Sequence, residues 1–243
     1  HEPHQFGSRR VRKEFAVPYS KLHLAWRLPC SAHPDTPALS ALSSILGGGR
    51  SARFYEKFHD RLGLVYSIEV HSNQSETDEG AFTISMDVDR AQRDKVRDLV
   101  LQELRNLAEE DFTEDLKRVC KQTRVSRLRR RSSASGVASE MGADWFGSRN
   151  LNLSSEWQEA IERVTTEDLH RVCSTWLSSP NVTEVSLDPP GSNAGDEERA
   201  SASAGTALSE HVLGNGMKVV IREDHRLPLA YACMAFKAGC RAE

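Results

Sequence analysis

The chain has 243 residues, 38% of them hydrophobic and 28% charged, which is enough for one large domain or one domain plus part of another. A formal net charge of -3 gives no global case for nucleic acid or a membrane surface as partner, and no apolar run approaches the ~20 residues of a membrane-spanning helix. The cysteines Cys30, Cys120, Cys173, Cys233 and Cys240 are widely spaced and form no CxxC, so neither a zinc ribbon nor a redox motif is supported, and free thiols are expected.

Leu22 to Leu28 (LHLAWRL) reads as a strand. The next stretch, HPDTPALSALSSILGGG, carries helix signals: Asp35 or Thr36 as cap, Pro37 in the first turn, and glycine after the last apolar residue. Its Leu39, Leu42, Ile45 and Leu46 fall on one face. A second short helix is expected from Ser51, with Phe54, Phe58 and Leu62 in the core. From Leu62 the period changes to two, which places Leu62, Leu64, Tyr66, Ile68 and Val70 on one face of a strand. GAFTISMDV, from Gly80 to Val88, is its hairpin partner across the polar loop Asn73–Glu79.

Two long helices should follow. Val96, Leu99, Val100, Leu104 and Leu107 make the apolar stripe of the first. The second starts with a cap at Thr113, runs through Leu116, Val119, Cys120 and Leu128, and continues past Ser135-Gly136 to about Phe146. Ser154-Ser155 caps a short helix, TTEDL opens another that ends near Leu177, and Asn181–Leu187 is a closing strand. The composition then shifts: Pro189–Gly205 is rich in Pro, Gly, Ser, Ala and charge, and reads as a flexible linker. Beyond it, a strand, an Asn215-Gly216 turn and further strands read as the first hairpin of a second domain. The fold class is therefore α/β of the α+β kind, a mainly antiparallel sheet with helices packed on one face. The expected divisions are 1–188, a linker at 189–207, and 208–243 as the truncated start of another domain.

Chemical signals are few. The triplet Gly47-Gly48-Gly49 follows a helix and lacks the lysine of a P-loop, so it reads as a helix end and tight turn. The nine histidines contain neither HExxH nor HxxEH; HEPHQ comes nearest, but its second histidine is one residue early and a proline interrupts it. No metal site is supported. The basic run Arg124–Ser133 lies in a helix without interleaved aromatics and reads chiefly as a solvated face, with an anion-binding module as the minor alternative.

The order of segments nonetheless resembles a known family. A D-x-x-A-L helix (Asp35–Leu39), a Gly-Gly-x-Ser-x-Arg turn (Gly48–Arg53) and x-G-L-x-Y-S (Leu62–Ser67), followed by DEGAFTISMDV, VRDLVLQELRNL, FTEDLKRVCKQ and VTTEDLHRVCSTWL, resemble the non-metal-binding domain of the insulinase, pitrilysin and mitochondrial-processing-peptidase family. The resemblance covers roughly Glu2–Pro190, and the tail resembles the start of the next metal-type domain. It implies a clam-shell half-domain of a zinc metallopeptidase, with zinc and its HxxEH in another domain, so that this chain is itself inactive and metal-free. Family members place an arginine and a tyrosine seven residues apart to hold substrate near the scissile bond. The tyrosine position falls on Tyr66, where core packing is at least as good a reading, and the arginine position falls on His59, so the pair is not intact. An imidazole is a poor substitute for a guanidinium clamp. Arg53 is expected to serve as an ion-pair partner near the turn. The implied partners are a peptide substrate and the other half-domains of the same polypeptide. A second copy in a homodimer is expected on a different ground, the face that meets partner domains being exposed, and the expected compartment is the cytoplasm or a bacterial periplasm. The rival reading is a non-catalytic scaffold or pairing subunit of the same family.

Overall fold

The computed structural model describes residues 5, 7–74, 79–178, 181–190, 209–215 and 217–221. The chain divides into two compact units, His1–Pro189 and Pro190–Glu243.

The first unit is built on a five-stranded sheet in the order β1-β5-β2-β4-β3. The strands are β1 (Arg9–Glu14), β2 (Ser20–Leu28), β3 (Val65–Asn73), β4 (Gly80–Val88) and β5 (Thr183–Asp188). All pairings are antiparallel except β1 with β5. Burial alternates along the central strands, as it must when one face is covered. Leu22, Leu24, Trp26 and Leu28 of β2 lie beside Phe82, Ile84, Met86 and Val88 of β4, all buried. Their alternates, among them Lys21, His23, Thr83, Ser85 and Asp87, stay half-buried or exposed on the open face.

Helices cover the apolar face. Helix α1 (Thr36–Gly47) buries Leu39, Leu42, Ile45 and Leu46, and α2 (Arg93–Asn106) buries Val96, Val100 and Leu104. Helix α3 (Thr113–Arg130) adds Leu116 and Val119. Helices α4 (Ala134–Ser148), α5 (Leu153–Glu162) and α6 (Thr166–Val172) complete the layer. Helix α6 opens at TTEDL as expected, and there Thr165 and Asp168 form a reciprocal capping box.

Several expectations are corrected. Asp35 is the residue before α1, but its carboxylate caps nothing; it accepts instead from Arg171 and, at 3.0 Å, from Trp176 Nε1. Thr113 does not cap α3; its N–H donates to Asp111 Oδ1 at 2.9 Å. Helix α3 does not continue to Phe146: the chain turns after Arg130, and Ser133 Oγ accepts from Gly136 N–H at 3.1 Å to start α4 afresh. Leu128, on the last turns of α3, is 65% exposed.

Strand β1 is an addition. Its RRVRKE carries no apolar alternation, and every residue is exposed. It is held by β5 and by charge. The core-facing row of β5 is polar: Glu184 accepts from Arg10 Nε at 2.9 Å, and Asp188 accepts from Ser20 Oγ at 2.7 Å, Ser186 Oγ at 2.9 Å and Arg93. Burying these carboxylates is tolerable because arginines and hydroxyls meet them there.

In the second unit, β6 (Ser209–Val212) and β7 (Lys218–Ile221) pair antiparallel, as the Asn215 turn signal leads one to expect. The linker from residue 191, and the strands expected after 221, lie outside the described residues.

Candidate functional site

The most chemically varied corner of the open sheet face forms where β3 begins. Val65 pairs with Val88 and Ser67 with Asp87, so Tyr66 is the extra residue of a β-bulge. The bulge shifts the side-chain phase by one. Val65 turns into the core, and Tyr66 turns out and is 48% exposed. This corrects the placement of Tyr66 on the apolar face with Ile68. Leu62, also expected in the core, is equally exposed at 48%.

Tyr66 is nevertheless held. Its hydroxyl donates to Asp89 Oδ1 at 2.9 Å, and its ring lies 4.1 Å from that of Tyr19, centroid to centroid. Partial burial, then the Asp89 hydrogen bond and charge, push its pKa up to about 12. Beside it, Asp87 accepts from Lys21 Nζ and Ser67 Oγ, both at 3.0 Å. Two residue pairs further along the β2–β4 register, on the same face, His23 Nδ1 meets Ser85 Oγ at 2.8 Å, and burial lowers the His23 pKa, which favours the neutral ring. With its proton given to Asp89, the Tyr66 oxygen presents lone pairs to solvent. The corner can accept a hydrogen bond from a peptide N–H and offer two aromatic faces to an extended chain.

His59 sits on the π-helical turn Tyr55–Arg61. Its ring stacks on Tyr55 at 4.4 Å, Nδ1 lies 2.7 Å from Asp60 Oδ1, and Nε2 lies 3.5 Å from the Tyr55 hydroxyl. Its hydrogen-bonding and ring partners are therefore local, and Tyr66 is not among them. Arg53 has the ion-pair role expected of it. Its guanidinium bonds Asp115 at 2.7 Å, Glu110 at 3.2 Å and the Asp111 carbonyl, and it covers the Phe112 ring at 4.6 Å. It locks the turn after α1 to the start of α3. Sequence reasoning passed over Tyr19 and Asp89, since both lie just outside the strands that present them.

The glycine triplet ends α1. Gly48 N–H donates to Ser44 O at 2.9 Å, and Gly49 takes φ 102°, the conformation of a tight turn. In the basic run, Arg124 pairs with Glu162 at 2.9 Å, and Arg127 and Arg131 pair with Glu140 at 3.0 and 2.7 Å, so three of its five arginines are answered within the helical layer. Among the described residues no three His, Cys, Asp or Glu side chains converge to hold a metal ion. A zinc ion therefore does not fit the described residues of this chain. No described helix is long and apolar enough to cross a membrane.

An α+β half-domain with helices on one face of a mainly antiparallel sheet, entered through a helix–glycine turn–helix, is the architecture of the metallopeptidase half-domains. The chain belongs to that family: the model of the peptidase M16 inactive domain matches residues 1–122. Zinc protease PqqE of Helicobacter pylori is 23% identical over 194 residues, which are 77% of this chain and 43% of that protein. The chain thus spans less than half the length of this curated relative. A solved protease from Helicobacter pylori superposes with a TM-score of 0.68 at 24% identity, covering 77% of this chain and 46% of that one. The peptidase M16 inactive domain from Pseudomonas fluorescens gives a TM-score of 0.67 at 20% identity, over 79% and 46% of the two chains. These likenesses establish the fold.

Proposed function

We propose that this chain is the non-catalytic half-domain of a zinc-dependent metallopeptidase and that its open sheet face forms part of the wall against which a peptide is held. The observation that carries the reading is the inactive-domain match over residues 1–122, the segment that contains the polar corner of Tyr19, Tyr66 and Asp89. The peptide backbone would meet that corner, with Tyr66 as a hydrogen-bond acceptor. Zinc, with the water-activating glutamate of its motif, would belong to a companion half-domain in the complete protein and supply the hydrolytic chemistry there. The chain's own residues would orient substrate and exclude water.

The test is elemental analysis and a peptidase assay on the purified 243-residue chain. We expect neither stoichiometric zinc nor turnover of unstructured peptides; one zinc per chain, or robust metal-dependent cleavage, overturns the reading. A second reading, a scaffold or pairing subunit of the same family, is favoured by one observation: the two nitrogens of His59, at the family's arginine position, face Asp60 and Tyr55 rather than Tyr66. The complete gene decides between them. An HxxEH motif in either flank supports the peptidase, and its absence from both supports the scaffold.

A further inference from the structure

The open sheet face is ordered in cross-strand rows, and two of them meet at the Tyr66 corner. On β2, Ser20 is buried, and Tyr19 and Lys21 flank it toward the open face. On β4, Val88 is buried, and Asp87 and Asp89 flank it in the same way, Asp89 keeping extended backbone at φ -64° and ψ 138°. On β3 the bulge brings Tyr66 and Ser67 to the same side. The first row is Tyr19, Asp89 and Tyr66. The second is Lys21, Asp87 and Ser67, since Asp87 pairs with both of the others. An aspartate stands at the centre of each.

The two aspartates have different effects. Asp89 takes the Tyr66 proton at 2.9 Å, which leaves the phenol oxygen as an acceptor. Asp87 takes Lys21 Nζ on one oxygen and Ser67 Oγ on the other, each at 3.0 Å. An ammonium has three N–H donors and no acceptor. One of Lys21's goes to Asp87, and the other two have no partner among the described residues. Neighbouring donors are already engaged. Arg90 donates to the Pro189 carbonyl at 2.8 Å and lies 3.8 Å from Glu14, while His23 and Ser85 hold one another. Arg27 pairs with Glu79 at the far end of β2.

We propose that Lys21 is a substrate-binding residue, donating to the carbonyl of one residue of an extended peptide while Tyr66 accepts from the N–H of the next residue on the same edge. This rests on the reading of the open face as a peptide wall. Asp87 and Asp89 are two residues apart on extended backbone, about 7 Å. The Tyr66 oxygen is bonded to one and the Lys21 nitrogen to the other, so acceptor and donor are offset by about 7 Å along the strand. An extended peptide presents an N–H and a C=O on one edge at every second residue, the same ~7 Å, and the flexible lysine stem takes up the remaining offset. A peptide lying along β4 with one edge toward the sheet therefore meets an acceptor at an N–H and a donor at a carbonyl. Charge selects the same ligand. Lys21 is answered by Asp87 and has Asp89 nearby, so the corner suits a neutral carbonyl within a chain and repels the carboxylate of a chain end.

The experiment is fluorescence anisotropy of a labelled short peptide, acetylated, amidated and without charged side chains, titrated with the 243-residue chain. An uncharged probe makes Lys21 act through a hydrogen bond and not through long-range attraction. We expect saturable binding by the parent, unchanged in Lys95→Met, which removes an exposed cation of α2 on the opposite side of the sheet. Lys21→Met should weaken binding about tenfold, the effect of one charge-assisted hydrogen bond, and Lys21→Arg should restore most of it. The Lys21–Asp87 pair is largely in solvent, so the unfolding midpoints of the Lys21 variants should match the parent's. A Lys21→Met variant that binds as tightly as the parent, or a Lys21→Arg variant that binds no better than Lys21→Met, overturns the proposal and leaves the peptide wall standing. A parent chain that binds no peptide overturns both.

Discussion

The Tyr66 hydroxyl has two competing tendencies: it is half in water, yet its proton is committed to Asp89. Its partly buried surroundings, then the Asp89 hydrogen bond and charge, favour the phenol over the phenolate in the folded state, with a pKa of about 12 against an ordinary 10.0. A group whose folded pKa lies above its unfolded value stabilises the fold fully below the unfolded pKa. That contribution is complete below pH 10 and is lost as pH rises toward 12. Of the four tyrosines, we expect one to ionise late in a phenolate absorbance titration. Tyr66→Phe should remove that late step and leave the others in place. If the chain titrates the same way with and without Tyr66, the Asp89 bond is absent in solution, and the corner loses the residue that defines its acceptor character.

At the scale of elements, the close fit of α1 on β3 gives the strongest steric prediction. A Cβ added to Gly47 would lie 2.6 Å from both the Cβ and the backbone nitrogen of Val70. Alanine in place of a helical glycine ordinarily gains about 1 kcal/mol. Here overpacking against backbone, which costs about 1–3 kcal/mol and cannot be relieved by rotating a side chain, outweighs the gain. Gly47→Ala should therefore destabilise by up to about 2 kcal/mol in urea unfolding, with an unchanged m-value. A stabilised variant would mean that α1 and β3 are less closely packed at Gly47 than the 2.6 Å approach to Val70 implies. This contact also marks the border of what sequence could say. The apolar periods of α1, α2, β2 and β4 and the start of α6 at TTEDL were legible, because each is a local pattern with a local cause. Tyr66 facing outward was not, because a bulge is defined by two strands together and β3 alone still counts Leu64, Tyr66, Ile68. Nor was β1, whose six residues are ordered by arginines meeting a glutamate 174 positions away. The start of α4 was missed because Ser133 sits in a run of serines and arginines that fits a continuing helix equally well.

At the scale of the whole molecule, the helical layer is tied together by carboxylates as much as by leucines, and that sets its response to acid. Asp35, at the start of α1, reaches Arg171 of α6 and the indole of Trp176. Burial alone would raise its carboxyl, but the guanidinium and indole N–H outweigh burial and hold it below its ordinary 3.8. Glu140 of α4 is held below its ordinary 4.5, first by the Arg127 hydrogen bond and, against the opposing effect of burial, by Arg131 as well. Both folded values are depressed, so both contributions are present above the unfolded pKa values and are lost as pH falls through the folded ones. The unfolding midpoint should stay level through neutral pH and drop once the pH passes below 4.5 and then 3.8. Neutral isosteres should separate the two contributions. Removing the charge from a buried ion pair costs about 3–5 kcal/mol, but Arg171 and Arg131 are nearly half in water, so about 2 kcal/mol each is expected for Asp35→Asn and Glu140→Gln at neutral pH. Each variant should also flatten its share of the acid slope, because the group that took up the proton is gone. A midpoint that falls equally steeply in the parent and in both variants would place the acid-sensitive links elsewhere, with the buried Arg93–Asp188 pair beneath the sheet as the next to be tested.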